Sequence, residues 1–522
     1  MQLSAKQVNK RYHAAWSKKE QWRSLYEQCY QYALPQRNLY DGYWEGGVPG
    51  RVKNLQVFDS TAVHGVQRFA NRIQSGLFPP DKDWMTLVPG TEIPEEARDE
   101  VRAGLQNYTN KFFSIIRQTS FDLAMGEFLL DLSIGTGIML IQPGDDIQPI
   151  RYQAIPQALV ALEEGPQGTV ENVYRKMRVA AENIQQIWPD AELPDVLVKL
   201  IEDKPQEMVN LTESTILDVQ DGGYNYYVCH KTSDDEDMML VSRKLTISPW
   251  VVARFSKISG EVMGRGPVVS ALGDILTLNK AVELLLKNAS LNISGIFTAV
   301  DDGVLNPQSI RIVPGAIIPV ASNGGARGAS LQPLPRAGDL QLTQIVLQDL
   351  RMAIKQTLLD DSLPPDNMSA RSATEIVERM RQLAINMGSS FGRLITEALV
   401  PITRRSMQIM DERGLINLPL KINGLEVEVV PVSPLAKAQH LDDIQDVLQW
   451  AQIAGQMGPV AQSTIKADAV SDYVAEKLGV PRDLITSDDE RQELEQQMQE
   501  MMQMQQAQMA GPEEVPAEAP PM

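Results

Sequence analysis

Apolar residues recur at three- and four-residue spacing over three long stretches between Gly264 and Asp411, the signature of amphipathic helices. In the first, Leu272, Ile275, Leu276, Val282, Leu286 and Ala289 form a stripe that predicts a helix over Val268–Asn292. Glu283 and Lys287 pair at i,i+4 on its polar side. In the second, Leu342, Ile345, Val346, Leu350, Ala353, Ile354 and Leu358 predict a helix over Leu340–Leu359. The third opens on Ser372-Ala373-Thr374-Glu375, a capping-box pattern. It continues through Ile376, Met380, Leu383, Met387, Phe391, Leu394 and Ala398 to about Asp411, with Gly388, Gly392 and Pro401 as candidate bends. At 1.5 Å per residue the first rod spans roughly 38 Å and the third roughly 58 Å. Between the first two lies Ile293–Gly338, rich in Gly and Pro, with short apolar strands at Gly295–Val300, Ile310–Val313 and Ala316–Val320. Between the last two lies a polar, Pro-bearing stretch, Asp360–Ser372. Two rods carry a tip, and a loop sits at their base.

The chain before Gly264 mixes both periods. Helices are predicted over Ser4–Gln36, Ser60–Leu77, Pro94–Ser120, Phe121–Ile134 and Ala181–Trp188, with Pro35 and Phe78-Pro79-Pro80 as stops. Alternating or continuous apolar runs predict strands at Asp83–Leu87, Gly137–Gln142, Ile150–Ala154 and Val170–Val179. Glu213–Lys231 and Met238–Phe255 read as a β-meander turning at Asp221-Gly222-Gly223. After the rods, Leu425–Val430 alternates as a strand. Ser433-Pro434 is an N-cap with Pro at the first helical position, opening a helix to about Ala454. Lys466–Leu478 predicts another helix, closed by Gly479 and Pro481. A Gln/Met-rich run and an acidic, Pro-rich end follow. The class is α+β, predominantly helical, with mostly antiparallel strands.

Composition narrows the function classes. The 522 residues carry 48 Lys and Arg against 67 Asp and Glu, a net charge of −19. That opposes tight wrapping of nucleic acid, which needs cations on phosphates, but it suits a passage through which nucleic acid slides. Cys29 and Cys229 are too few and too far apart for a disulfide scaffold and fit a reducing compartment. The opening MQLSAKQVNKRYHAAW has no apolar core, so no signal peptide is expected. No run of about 18 apolar residues predicts a membrane span.

Candidate chemistry is sparse. His13, His64, His230 and His440 stand in no metal-ligand spacing. Cys229-His230 reads as a core cysteine in a strand. There is no GK[ST] phosphate loop and no GxSxG elbow. Gly135-Thr136-Gly137 leads into a strand and Gly264-Arg265-Gly266 into Pro267, so each is a turn or a place of close backbone approach, not a dinucleotide fingerprint. The acidic pairs Asp145-Asp146, Asp301-Asp302 and Asp360-Asp361 lie in loops and read as solvated. No cofactor or metal is expected, and no enzyme. Among basic residues, Arg311, Arg327 and Arg336 lie in the tip, Arg351 and Lys355 on the second rod, and Arg371 in the polar stretch.

The order helix, tip, helix, loop, long helix after an α+β region resembles the portal, or head-to-tail connector, proteins of tailed bacteriophages, and among them the short-tailed, T7-like group. The likeness is carried by FANRIQSGLFPPDKDWMTL (Phe69–Leu87), MGRGPVVSALGDILTLNKAVELLLKNASL (Met263–Leu291) and SATEIVERMRQLAINMGSSFGRLITEALVP (Ser372–Pro401). The resemblance implies a wing over residues 1–263 and 373–432, stem helices at 264–292 and 339–359 and a clip at 293–338. It further implies a tunnel loop at 360–372, a crown at 433–487 and a C-terminal tail at 488–522. It implies a homo-dodecameric ring in the virion, at one capsid vertex, conducting double-stranded DNA during packaging and ejection. The implied partners are the large terminase subunit, the major capsid or scaffolding protein, and tail adaptor and nozzle proteins. Channel contacts would fall at Arg371, Asn367, Ser369, Arg351 and Lys355, and clip contacts at Arg311, Arg327 and Arg336. The alternative is a tail or adaptor ring with a purely structural role.

Overall fold

The structure is a computed structural model. It describes residues 3–40, 53–94, 97–231, 236–294, 297–299, 323–325, 328–329, 331–333, 340–360, 381–417, 421–457, 466–478 and 501. The chain divides into two compact units, Met1–Ala438 and Gln439–Met522.

The first unit begins with two helices where the periodicity predicts one, α1 (Ala5–Glu20) and α2 (Arg23–Ala33). The break falls beside Lys19, which is buried and donates to the carbonyls of Gln157 and Val160. That anchor fixes the end of α1, and burial drives the Lys19 ammonium well below its ordinary pKa. Helix α3 (Thr61–Leu77) buries Val66, Phe69, Ala70 and Ile73. Strand β1 (Met85–Pro89) follows, then α4 (Arg98–Ile116) and α5 (Phe121–Ile134). Trp84 is the hub of the core here. It stacks on Phe121 at 5.8 Å and meets Phe78, Phe112 and Phe113 edge-on at 5.2, 5.7 and 5.3 Å.

Strands β2 (Thr136–Pro143), β3 (Ile150–Ala154), β4 (Val160–Glu164) and β5 (Val170–Ala180) come next. Short α6 (Ile184–Ile187) and α7 (Asp195–Asp203) precede β6 (Met208–Asp218), β7 (Gly223–Lys231), β8 (Asp237–Leu245) and β9 (Trp250–Arg254). All pairings are antiparallel. The five-stranded sheet runs β4-β5-β6-β7-β8, and the three-stranded sheet runs β3-β2-β9. The expected meander therefore loses its last strand: β9 leaves β8 and pairs with β2, Thr136 opposite Arg254. Strand β2 is buried from Thr136 to Ile141 and needs a partner on both edges, which β3 and β9 supply. Gly222, at φ +72, makes the β6–β7 turn in the left-handed region that favours glycine.

The two glycine motifs meet. A side chain on Gly135 would lie 2.0 Å from the Gly264 carbonyl oxygen, and one on Gly266 would lie 2.2 Å from that of Ser133. The backbone leaving β9 runs directly against the start of β2, and only glycine permits it.

Helix α8 (Pro267–Ser294) and helix α9 (Leu340–Thr357) pack together. Between them the described strands are β10 (Phe297–Ala299) paired with β13 (Leu331–Pro333), and β11 (Asn323–Gly325) paired with β12 (Gly328–Ala329). The long third helix is not continuous. Residues 381–387 are helical, Gly388 breaks the run at φ +48, and Ser389–Leu394 resumes it. A π-turn over Ile395–Leu399 follows, then Val400–Glu412. Strand β14 (Val427–Pro431) pairs with β1, Met85 opposite Pro431. Ser433 caps the helix Pro434–Gln456: its hydroxyl accepts from the Ala436 amide at 3.3 Å. The second unit holds the rest of that helix and Ala467–Leu478, with Leu448, Trp450 and Ile453 exposed. The capping patterns at Ser372 and Ser487 lie outside the described residues.

Candidate functional site

The rods behave as the periodicity predicts, each within two residues at either end. On α8, Val268, Ala271, Leu272, Ile275, Leu278 and Val282 are buried; on α9, Leu347 and Ile354 are, as is Leu358 just past its end. Contacts from α2, α3 and α5 cover α8, and α3 also covers α9. Past Val282 the cover thins. Leu284, Leu286, Ile345 and Val346 are 50–57% exposed, a run of large apolar side chains in one region of the helix pair. Lys280 and Lys287 pair with Glu283 at 3.0 and 2.6 Å.

The segment before α3 stitches the rods together. The Asn279 side chain accepts from the Phe58 amide at 2.7 Å and donates to the Gln56 carbonyl at 2.9 Å. Asp59 accepts from the Thr61 amide at 2.9 Å and from Arg351 at 2.8 Å. Burial pushes the Asp59 carboxyl up, but the Thr61 hydrogen bonds and the Arg351 guanidinium outweigh it, and it titrates below the ordinary aspartate range. Its stabilising contribution is therefore complete above the unfolded aspartate pKa and is lost as pH falls through the lowered folded value. Arg351→Gln is expected to shrink that contribution, so the acid limb of a melting-temperature profile moves to higher pH; an unmoved limb counts against the pair.

The base of the rods is clamped. Leu358 sits over Gly65, so close that a side chain there would come within 2.5 Å of its Cδ1. Leu359 turns left-handed at φ +56, and the Asp360 amide donates back to the Lys355 carbonyl at 2.7 Å. Asp360 is buried, with Arg68 at 3.0 Å and Arg72 at 3.3 Å, and Arg72 also donates to the Leu359 and Asp360 carbonyls. The reading of Asp360 as solvated is corrected: its partners lie on α3, nearly three hundred residues earlier, and the root of the polar stretch is bolted to that helix. Asp145 and Asp146 do pair with Arg151 and Arg413 at the exposed surface.

Of the anticipated contact residues, Arg351 is bound to Asp59 and Lys355 is exposed on α9. Arg371, Asn367 and Ser369, and Arg311, Arg327 and Arg336, lie outside the described residues. Cys29 and Cys229 are both buried, and burial pushes each thiol up to about 12, which leaves them inert. Among the described residues, no group of three His, Cys, Asp or Glu side chains is placed to hold a metal ion. No described helix is long and apolar enough to cross a membrane. The site offers two packed rods, a clamped root and several exposed apolar side chains.

The family of bacteriophage head-to-tail connecting proteins matches residues 5–485. The chain belongs to that family. The "Probable portal protein" of Bordetella phage BPP-1 is 23% identical over 491 residues, covering 90% of this chain and 86% of its own. The portal protein of Enterobacteria phage T3 is 20% identical over 464 residues, covering 84% and 81%. A chain from the virion of a native gene transfer agent particle superposes with a TM-score of 0.34 at 12% identity, covering 79% of this chain and 92% of its own.

Proposed function

We propose that this connector is the portal of its phage: a ring, of twelve copies as the resemblance implies, that conducts double-stranded DNA into the capsid and out again. The observation that carries the ring is the group of exposed large apolar side chains, Leu284, Leu286, Ile345 and Val346, where the cover on α8 and α9 thins among the described residues. A neighbouring copy supplies the missing partner. In this reading α8 and α9 are the stem, residues 293–338 the clip that docks the large terminase subunit and then adaptor and nozzle proteins, and residues 360–372 the loop facing the channel. The wing faces the capsid and scaffolding proteins. A wall of net negative charge repels the duplex and keeps it from sticking. The few cations, Arg371 and Lys355 first among them, are placed contacts. The role is mechanical: the energy for DNA movement comes from the motor, and this chain catalyses nothing.

Electron microscopy of the purified chain tests the ring. Closed rings with a central hole about as wide as a duplex are expected, and persistent monomers overturn the reading. Capture of the large terminase subunit separates a portal from an adaptor ring, which would not bind it. Arg371→Ala is expected to leave rings intact while lowering packaged or retained DNA; unchanged packaging and retention remove Arg371 from the channel.

A further inference from the structure

The five-stranded sheet carries helices on both faces, and their exposed charges are opposite in sign. Side chains along a strand alternate between faces. On β7, Tyr227 and Cys229 share a core with Val8, Tyr12 and Ala15 of α1. Tyr226 and Val228 share one with Ile184 of α6, Trp188 and Leu197 of α7. Helix α1 and the α6–α7 layer therefore lie on opposite sides of the sheet. The exposed side of α1 is basic: Lys6, Lys10, Arg11 and Lys18 are exposed and have no ion pair among the described residues. The single carboxylate of α1, Glu20, pairs with Arg23 at 3.1 Å. The α6–α7 layer is acidic: Glu192, Asp195, Glu202 and Asp203 are exposed and likewise have no ion pair among the described residues. Lys199 is the only cation within α7. Ile187, Val196 and Met208, in the same layer, are 45–54% exposed.

Elsewhere exposed charges find partners within the chain, as Arg243 does with Asp190, Lys244 with Asp221 at 2.6 Å and Arg151 with Asp145 at 2.9 Å. On these two faces the signs are segregated instead, one to each side of the sheet. A cyclic ring uses such an arrangement, because each copy offers two different surfaces to its two neighbours. We propose that the acidic α6–α7 layer of one copy seats against the basic face of α1 on the next. The contact rests on the ring reading above. It adds a direction to the ring: opposite faces attract, like faces repel, and a copy presented the wrong way round is refused. A duplex suits the basic face less well. It extends its charge past α1 into the field of a chain of net charge −19, whereas the α6–α7 layer presents its carboxylates locally.

Two charge-reversed full-length chains test the contact. One carries Lys6→Glu/Lys10→Glu/Arg11→Glu, the other Glu192→Lys/Glu202→Lys/Asp203→Lys. All six positions are exposed, and the helix dipoles favour glutamate near the start of α1 and lysine at the end of α7, so both chains should fold. Sedimentation and electron microscopy read ring formation against protein concentration. Each variant alone is expected to need on the order of tenfold more protein than wild type, an effect that shrinks as salt screens the faces. The equimolar mixture should assemble near the wild-type concentration, since the two chains alternate with every contact complementary and an even ring closes. A single chain bearing both sets should recover as well. A folding defect would not be cured by mixing. Wild-type assembly by either variant alone overturns the contact and leaves the ring standing, with the basic face free for an acidic segment of another protein. A mixture no better than its components also overturns it. If the wild-type chain forms no ring, the ring reading falls first and the contact with it.

Discussion

The double variant Leu286→Glu/Ile345→Glu is expected to elute as a monomer under conditions where the wild-type chain forms rings. Both side chains are more than half exposed, at 51% and 57%. Nothing in the isolated chain should object to glutamate there, so far-UV circular dichroism is expected to be unchanged. In the proposed ring each is buried against a neighbour. Burying a Leu or Ile side chain is worth about 1.5–3 kcal/mol, and an unpaired carboxylate taken out of water costs several more. The penalty recurs at every interface around the ring, and closure fails. Gln348→Glu, on the same helix at an exposed polar position, is the control and should assemble. Rings formed by the double variant would show that the apolar face is not the seam.

Glu397→Ala is expected to destabilise the chain by about 3–5 kcal/mol, because it strands a buried charge. Arg254 is almost wholly enclosed and Glu397 is its only carboxylate among the described residues. The backbone amide of Arg254 also donates to Glu397, at 2.9 Å. Removing the carboxylate leaves that amide unsatisfied and the Arg254 and Arg393 guanidiniums facing each other unscreened. The companion experiment is the double replacement Arg254→Met/Glu397→Leu, which should recover most of the loss, since apolar residues of similar volume often substitute for a buried pair at little cost. Urea melts of the three proteins decide it. If Glu397→Ala is as stable as wild type, the pair is not what joins β9 to the helix.

The rods were legible because their stripes are long: the α8 and α9 periodicities run for several turns and are closed by Pro267 and the Leu358–Asp360 turn. Strand β3 was legible to the residue, since IRYQA alternates cleanly between buried and exposed positions. Strand β4, VALEE, was missed because a short apolar run ending in acids has no period to read. Helix α7 was missed because nine residues after Pro194 look like a loop between longer elements. The break at Gly388 was only one of three candidates, and choosing it takes the tertiary setting that turns the chain there. At the site the limit was distance along the chain. Asp360 finds Arg68 and Arg72, and Arg351 finds Asp59, across nearly three hundred residues. A carboxylate beside Pro and Ser reads as solvated when its partners are that remote.

The pairing of β1 with β14 bears on when the protein can be built. Strand β1 has no other partner among the described residues, and the same core buries Trp84 and Leu87 together with Leu394, Ile402, Val427 and Val429. Translation delivers the first half of that core long before the second. The nascent chain therefore carries an open sheet edge and an uncovered aromatic cluster until residue 431 has cleared the ribosome. Pairings of such long range form late and slowly, and exposed edges invite aggregation meanwhile. Assembly is thus post-translational by construction: no subunit can join a neighbour in finished form until nearly all of it has been synthesised, and chaperone demand should peak in that interval.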